Sequence, residues 1–149
     1  MTLAHGADAT GKLIPLLLDA SGRVLIQRSA NSILRPSAVY TTTFNSGLIV
    51  NDSGLGLLVF LAVSAAPGVQ TLVVSINTHN TIGNFGALLV GAAITAAGNY
   101  IYMIYPGIAA AGAGIAATAG FPLPRFYSVI VTHSGAGNWT YSLESNLIP

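Results

Sequence analysis

The chain has 149 residues, of which 52% are hydrophobic and 6% are charged, whereas charged residues make up about 25% of a typical soluble domain. The net charge of +1 argues against the basic surface that nucleic-acid binding requires. The chain has no cysteine, which excludes disulfide scaffolds, thiolate zinc sites and thiol catalysis. Residues 53–124 contain no Lys, Arg, Asp or Glu. Because so uncharged a free domain would aggregate, we expect partner molecules to cover much of its surface.

Residues 1–37 are predicted to form an extended N-terminal arm. Residues 12–18 are apolar, a type I turn signal follows, and residues 23–27 return, which predicts a short hairpin. Residues 28–36 are polar and are expected to be irregular. Four of the five basic residues lie in this part of the chain, and they are the candidate partner-binding residues: Lys12, Arg23, Arg28 and Arg35. The arm is interpreted as docking on another subunit, and the alternative is a solvated first hairpin.

Residues 38–149 are predicted to form an antiparallel β-sandwich. Residues 39–44 have strand composition. Two apolar runs, 55–63 and 69–77, flank a turn signal that contains Pro67, so we expect two buried antiparallel neighbours at the centre of the sandwich. Residues 78–84 are expected to be a polar loop.

The later strands are predicted at residues 87–95, 100–105, 125–133 and 139–147. The short connections 96–99 and 134–138 read as turns that join antiparallel neighbours. In the last strand, alternation places Trp139, Tyr141 and Leu143 on one face.

Residues 106–124 are rich in Ala and Gly. They are interpreted as a loop that packs against a neighbouring subunit, and the alternative is a short Ala-rich helix on the sandwich.

The uncharged run 100–123 is long enough to cross a bilayer. Proline and glycine interrupt it and no basic cluster flanks it, so we expect no membrane span.

The sequence contains no nucleophile elbow and no phosphate-binding loop. His5, His79 and His133 are isolated, and the last two are expected to face solvent. The four carboxylates do not form a paired arrangement, so we expect no enzyme activity, metal or cofactor. Carbohydrate binding is an alternative, carried by the aromatic residues Tyr100, Tyr102, Trp139 and Tyr141, although packing in the core or between subunits is the favoured role for them.

Several segments resemble the small virion proteins of tailed bacteriophages: the opening hairpin at residues 11–23, the strand pair 55–77, and the segments 94–100, 105–107, 123–125, 131–133 and 139–142. The resemblance implies a β-sandwich or jelly-roll structural subunit without catalytic residues. Some members of this group are decoration (cement) proteins that sit on the capsid as trimers.

The expected function is therefore that of a capsid decoration protein on the virion surface, which stabilises the outer head shell. Its expected partners are copies of itself, as a homotrimer, and the major capsid protein, with no nucleic acid and no membrane. A phage tail or baseplate subunit is the alternative in the same class.

Overall fold

Strands make up all the regular secondary structure of the described residues. The computed structural model describes residues 4–7, 13–16, 31–52, 54–80, 83–108 and 114–149. The strands are β1 (Ala4–Ala7), β2 (Leu13–Leu16), β3 (Asn31–Tyr40), β4 (Phe44–Asn45), β5 (Ile49–Val50), β6 (Gly56–Ala65), β7 (Leu72–Asn80), β8 (Gly83–Val90), β9 (Gly98–Ile104), β10 (Ile115–Ala119), β11 (Phe126–His133) and β12 (Trp139–Ile148). Within these ranges no helix is long and apolar enough to cross a membrane.

Two sheets pack face to face, which confirms the predicted all-β sandwich. The first sheet has the spatial order β10, β9, β6, β12, β3. The second has the order β4, β11, β7, β8, and β5 pairs with the other end of β11. Neighbouring strands are antiparallel except for β9 and β10. Strands β1 and β2 form a separate antiparallel pair.

The core lies between the two sheets and is built by alternation along the strands. In a β-strand every second side chain points to the same face. The inward residues of β6 and β7 are apolar and nearly inaccessible: Leu57, Val59, Leu61, Val63, Leu72, Val74 and Ile76. Trp139, Tyr141 and Leu143 are fully buried in the same core, which confirms the face predicted for the last strand.

The predicted central hairpin is wrong, because its two strands lie in different sheets. Strand β6 pairs with β12 and β9, whereas β7 pairs with β11 and β8. The connection 66–71 crosses the sandwich. Six residues readily span the roughly 10 Å between stacked sheets, and both strands still bury one face in the same core.

Two further predicted strand pairs are wrong for the same reason. The chain crosses from the second sheet to the first between β8 and β9, and again between β11 and β12. Each connection therefore reverses the chain direction, as the turn residues indicate, but places consecutive strands on opposite sides of the core.

The first sheet includes residues that were expected to be irregular. Residues 31–36 lie in β3, which pairs with β12 along its length. The strand predicted at 39–44 is interrupted, because the chain leaves the first sheet after Tyr40 and joins the second at Phe44. The polar loop predicted at 78–84 is shorter, since β7 continues to Asn80 and β8 begins at Gly83.

Near the N-terminus, β2 pairs with β1. The predicted return strand at residues 23–27 lies outside the described residues.

The Ala- and Gly-rich segment 106–124 is neither a loop throughout nor a helix in its described part, because residues 115–119 form β10 parallel to β9. The Tyr105 amide donates to the Ala119 carbonyl at 3.1 Å. Residues 109–113 lie outside the described part of the chain.

Candidate functional site

One of the four predicted partner-binding residues, Arg35, lies in the described part of the chain, and it is half-buried in β3. Its guanidinium carbon is 3.9 Å from the ring centroid of Tyr40 and 4.6 Å from that of Phe44. Lys12, Arg23 and Arg28 lie outside the described residues. Arg35 thus packs between an aromatic ring of the first sheet and one of the second, a geometry in which the cation is attracted to the ring faces.

Arg35 belongs to a group that we call the inter-sheet cluster: Arg35, Tyr40, Phe44, His133 and Tyr141. The rings of Tyr40 and Tyr141 have centroids 4.8 Å apart, and those of His133 and Tyr141 are 5.9 Å apart, both pairs tilted by 49°. His133 Nε2 lies 3.3 Å from the Tyr141 hydroxyl oxygen. The Tyr40 hydroxyl donates to the Pro36 carbonyl at 2.7 Å. Strands β3 and β12 come from one sheet and β4 and β11 from the other, so the cluster joins the sheets where the chain passes between them.

The electrostatics of the cluster disfavour a second positive charge. Burial, and then the positive charge of Arg35, lower the pKa of His133. Burial raises the pKa of Tyr141, and Arg35 partly opposes this. Arg35 Nη1 and His133 Nδ1 are buried without a hydrogen-bond partner. His133 therefore favours its neutral form beside a permanent cation.

This arrangement makes stability depend on pH. The folded protein binds the His133 proton less tightly than the unfolded chain does. The unfolded state therefore gains stability relative to the folded state as the pH falls and His133 becomes protonated. The free energy of unfolding should fall as the pH drops through about 6.5, the usual pKa of histidine, and this contribution should level off below the folded-state pKa. Urea unfolding at pH 7.5 and at pH 5 measures the difference. His133→Gln should reduce it, and an identical pH dependence in both proteins would contradict the assignment.

A second polar group lies on the outer face of the second sheet. His79 Nε2 is 2.7 Å from the Ser128 hydroxyl, and Asn77 lies opposite Ser128 in the β7–β11 register. A serine paired with a histidine at this distance is the arrangement of an activated nucleophile. However, Ser128 has 0% exposure, so a substrate could not reach its oxygen. We interpret the pair as a structural hydrogen bond.

The expectation that His79 and His133 face solvent is wrong, because both are half-buried and in contact with other side chains. In the described part of the chain, no three His, Cys, Asp or Glu side chains come together as a metal site.

The aromatic side chains considered for carbohydrate binding do not form an exposed platform. Tyr102, Trp139 and Tyr141 each have 0% exposure. Tyr100 is half-buried, and its hydroxyl donates to the Ala96 carbonyl at 2.9 Å. Core packing, the favoured role, is confirmed for the three buried rings.

Asn51 holds together the loops at the end of the sandwich where β5 leads into β6. Its side-chain amide donates to the Gly54 carbonyl at 2.8 Å and to the Leu123 carbonyl at 3.2 Å, and its side-chain oxygen accepts from the Gly54 amide at 2.7 Å. The Asn51 backbone amide donates to the Arg125 carbonyl at 2.7 Å. Asn51 is 8% exposed, so water cannot readily replace these partners.

Replacing Asn51 with alanine should therefore lower the free energy of unfolding by about 2–3 kcal/mol, because buried backbone groups lose their partners. Chemical denaturation of the purified protein measures this. Asn45→Ala is the matched control: Asn45 is exposed, and its side-chain oxygen accepts one hydrogen bond, from the Gly47 amide at 2.9 Å. We expect a loss of about 1 kcal/mol or less there. Equal losses in the two variants would show that Asn51 does not join the loops.

Large apolar side chains are exposed at this same end, and we call them the apolar end group: Leu48, Val50, Leu55 and Phe121. Their exposures are 55%, 46%, 54% and 60% respectively. The Asn51 network fixes the backbone that carries them, because Leu55 accepts a hydrogen bond from the Leu123 amide at 2.9 Å and Val50 pairs with Phe126. No sequence motif marks these residues. Each is an apolar residue next to residues that are typical of turns, and this pattern alone does not predict that the side chain is exposed.

Comparisons with protein-family models, with curated proteins and with solved structures find no significant match for this chain. The surface and the geometry of the chain are therefore the basis for its function.

Proposed function

We propose that the chain is a non-enzymatic virion structural protein, a capsid decoration protein that binds the outer head shell and stabilises it. The observation that carries this proposal is the exposure of the apolar end group, at 46–60% per side chain, on a sandwich whose residues 53–124 carry no charge. Exposed apolar side chains on a rigid scaffold are characteristic of an interaction site.

The order of the strands supports the finer interpretation of the fold as a jelly roll. Without β10, the first sheet has the order β9, β6, β12, β3, and the second has the order β8, β7, β11, β4. Between β3 and β12 the chain passes between the sheets at six of its connections, as it does in two interlocked Greek keys. Jelly rolls form many viral capsid and lectin domains. One fold serves many functions, so the choice between a capsid domain and a lectin depends on the surface residues. The buried aromatic rings weigh against a lectin.

The proposed mechanism is mechanical. The apolar end group contacts the major capsid protein, and each contact gains roughly 25 cal/mol per Å² of apolar surface removed from water, before the costs of association. Interface cores are depleted in charged residues, which fits the composition of this chain. A homotrimer makes this contact three times, once for each chain, so the weak individual contacts add by avidity.

The basic N-terminal arm is a second contact in this proposal. Lys12, Arg23 and Arg28 are the residues proposed to dock on a neighbouring subunit. Arg35 has a different environment, since it packs between the Tyr40 and Phe44 rings. We therefore expect Arg35→Ala to affect stability, and Arg23→Ala with Arg28→Ala to affect docking.

The test uses shells of the phage whose genome encodes the chain, grown with its gene deleted. Purified wild-type protein should co-sediment with these shells at saturable, regular stoichiometry. Phe121→Lys should weaken this binding at least tenfold, because it places a charge in the apolar contact. Val69→Lys is the control: Val69 is 93% exposed in the loop between β6 and β7, and this variant should bind like the wild type.

Wild-type protein that does not bind these shells would contradict the proposal. Immunogold labelling of complete particles separates a head location from a tail or baseplate location. A glycan array tests the carbohydrate-binding alternative directly.

A further inference from the structure

The backbone pairing of β3 is irregular where this strand meets the inter-sheet cluster. Strand β3 lies at the edge of the first sheet, so it pairs on one side only, with β12. Two register shifts flank the pair that Arg35 makes with Leu143. Pro36 follows Arg35 in the strand and has no amide to donate to a neighbour. The backbone therefore holds β3 weakly in the part that carries the cluster.

Side-chain contacts of the cluster fasten this part of β3 to both sheets. The guanidinium carbon of Arg35 lies 3.9 Å from the ring centroid of Tyr40 and 4.6 Å from that of Phe44. The Tyr40 ring packs on the buried ring of Tyr141 in β12, with centroids 4.8 Å apart. These contacts join β3 to β12 in its own sheet and to β4 in the other sheet.

His133 connects the end of β11 to the same part of the chain. Its backbone amide donates to the Thr43 hydroxyl oxygen at 3.1 Å, in the passage between β3 and β4. Its side-chain Nε2 lies 3.3 Å from the Tyr141 hydroxyl oxygen. Strand β4 adds two residue pairs with β11. His133 therefore lies where the second sheet holds the passage against the first.

A positive charge on His133 would have no carboxylate beside it among the described residues. The cluster and the passage surround it with one cation, two tyrosines, a phenylalanine and a threonine: Arg35, Tyr40, Tyr141, Phe44 and Thr43. Of the described side-chain carboxylates, Glu144 follows the inward Leu143 and so lies on the outer face of the first sheet. Asp52 follows β5, which pairs with the start of β11, whereas His133 is at its end. Protonation would therefore place two cations together without an anion to separate them.

We infer that the inter-sheet cluster is a pH-sensitive clasp, in which protonation of His133 releases residues 36–44 from β12 and β11 while the rest of the sandwich stays folded. The release can be local because β12 keeps β6 as a neighbour and β11 keeps β7. The inference concerns the conformation of the chain alone and is independent of the proposed function.

The direction of the switch follows from the two forms of the clasp. In the closed form, burial and then the charge of Arg35 lower the pKa of His133. In the open form His133 is in water and away from Arg35, so its pKa returns toward the usual value of about 6.5. The open form therefore binds the proton more tightly. Its population should rise as the pH falls through about 6.5, and the rise should end below the pKa of the closed form.

Trp139 provides a direct measurement of the release. It is the only tryptophan of the chain, it has 0% exposure, and it lies opposite Tyr40 in the β3–β12 register. Release of Tyr40 would uncover one side of the indole. The acrylamide quenching constant of the Trp139 fluorescence should therefore rise about threefold or more between pH 7.5 and pH 5. The far-UV circular dichroism should keep its sheet signal at both values.

Three variants identify the group that titrates. His133→Gln should keep a low quenching constant at both pH values. The matched control is His79→Gln, which changes a histidine bonded to Ser128 on the outer face of the second sheet, and it should respond to pH as the wild type does. Arg35→Met keeps an apolar stem over the two rings and removes the charge, so it should weaken the response to pH.

Hydrogen exchange of the wild-type protein needs no substitution. Mass spectrometry compares the segment 36–44 with the segment 57–63 of β6 at the same two pH values, after correction for the intrinsic exchange rate. Residues 36–44 should lose protection at pH 5, whereas residues 57–63 should keep it.

Wild-type quenching that is equal at pH 7.5 and pH 5 would overturn the inference. A pH response that persists in His133→Gln would overturn it as well, because another group would then titrate. Loss of protection in both segments together would show that protonation unfolds the whole domain, and the local clasp would again be wrong. None of these measurements uses phage shells, so a failure of the proposed function would leave the inference standing.

Discussion

Replacing Trp139 with alanine should lower the free energy of unfolding by about 4 kcal/mol, the range found when a large buried aromatic residue is truncated. Trp139 begins β12, has 0% exposure, and lies opposite Tyr40 in the β3–β12 register. Its removal leaves a cavity that the flanking strands cannot close without breaking their pairing. For a domain of this size the melting temperature should fall by about 10 °C. Urea unfolding and thermal unfolding followed by circular dichroism measure both quantities.

Trp139→Phe is the informative control. Phenylalanine fills most of the same space and removes the indole Nε1, which is buried without a hydrogen-bond partner. We therefore expect a smaller loss, about 1–2 kcal/mol. A loss below 1 kcal/mol for the alanine variant would mean that the residue is not in the core.

Gly56→Ala should cost about 3 kcal/mol, at the upper end of the usual effect of overpacking. Gly56 is buried at the start of β6. A Cβ atom there would lie 2.5 Å from the Ile104 carbonyl oxygen and 2.7 Å from Tyr105 Cδ2. The carbonyl belongs to the backbone of the neighbouring strand, so it cannot rotate away as a side chain does. The two strands must move apart, and the denaturation midpoint should report the cost.

Gly86→Ala is the matched control for this prediction. Gly86 also lies in a strand, β8, but a Cβ atom there would meet nothing within 4 Å. We expect a change within about 0.5 kcal/mol, since the substitution alters an open surface position. If the two alanine variants had the same stability, the close approach of β6 and β9 at Gly56 would not exist.

The positions of the strands could be predicted because burial alternates along them. Residues 125–133 and 139–147 show this pattern plainly, and β11 and β12 occupy nearly the same residues. The short strand β10 is not marked in this way. Its sequence is mostly Ala, which has low strand propensity, and it forms because β9 offers an open edge for parallel pairing.

Strand pairing could not be predicted from the same pattern. Alternation shows that one face of a strand is buried, but it is identical for two strands in one sheet and for two strands on opposite sides of a core. The turn at Pro67 and Gly68 specifies a reversal of the chain, and Gly68 has a positive φ of 57°. Whether the reversed strand pairs with its predecessor or crosses the core depends on the other strands.

The inter-sheet cluster could not be predicted from the sequence for a related reason. Arg35 and His133 lie far apart in the sequence, and neither belongs to a motif. They meet because β3 and β11 approach each other from different sheets at the passage from Tyr40 to Phe44.

The pairing of β3 with β12 has a consequence for how the protein is made. In the first sheet, β12 lies between β3 and β6, although it is translated after both of them. Until it emerges, β3 has no neighbour and β6 presents an open edge. Chains rich in such long-range contacts have a high contact order and fold slowly. Their unpaired edges are prone to aggregation in the meantime. The nascent chain should therefore require a chaperone, or dilution in vitro, until the ten residues of β12 have been translated and close the sheet.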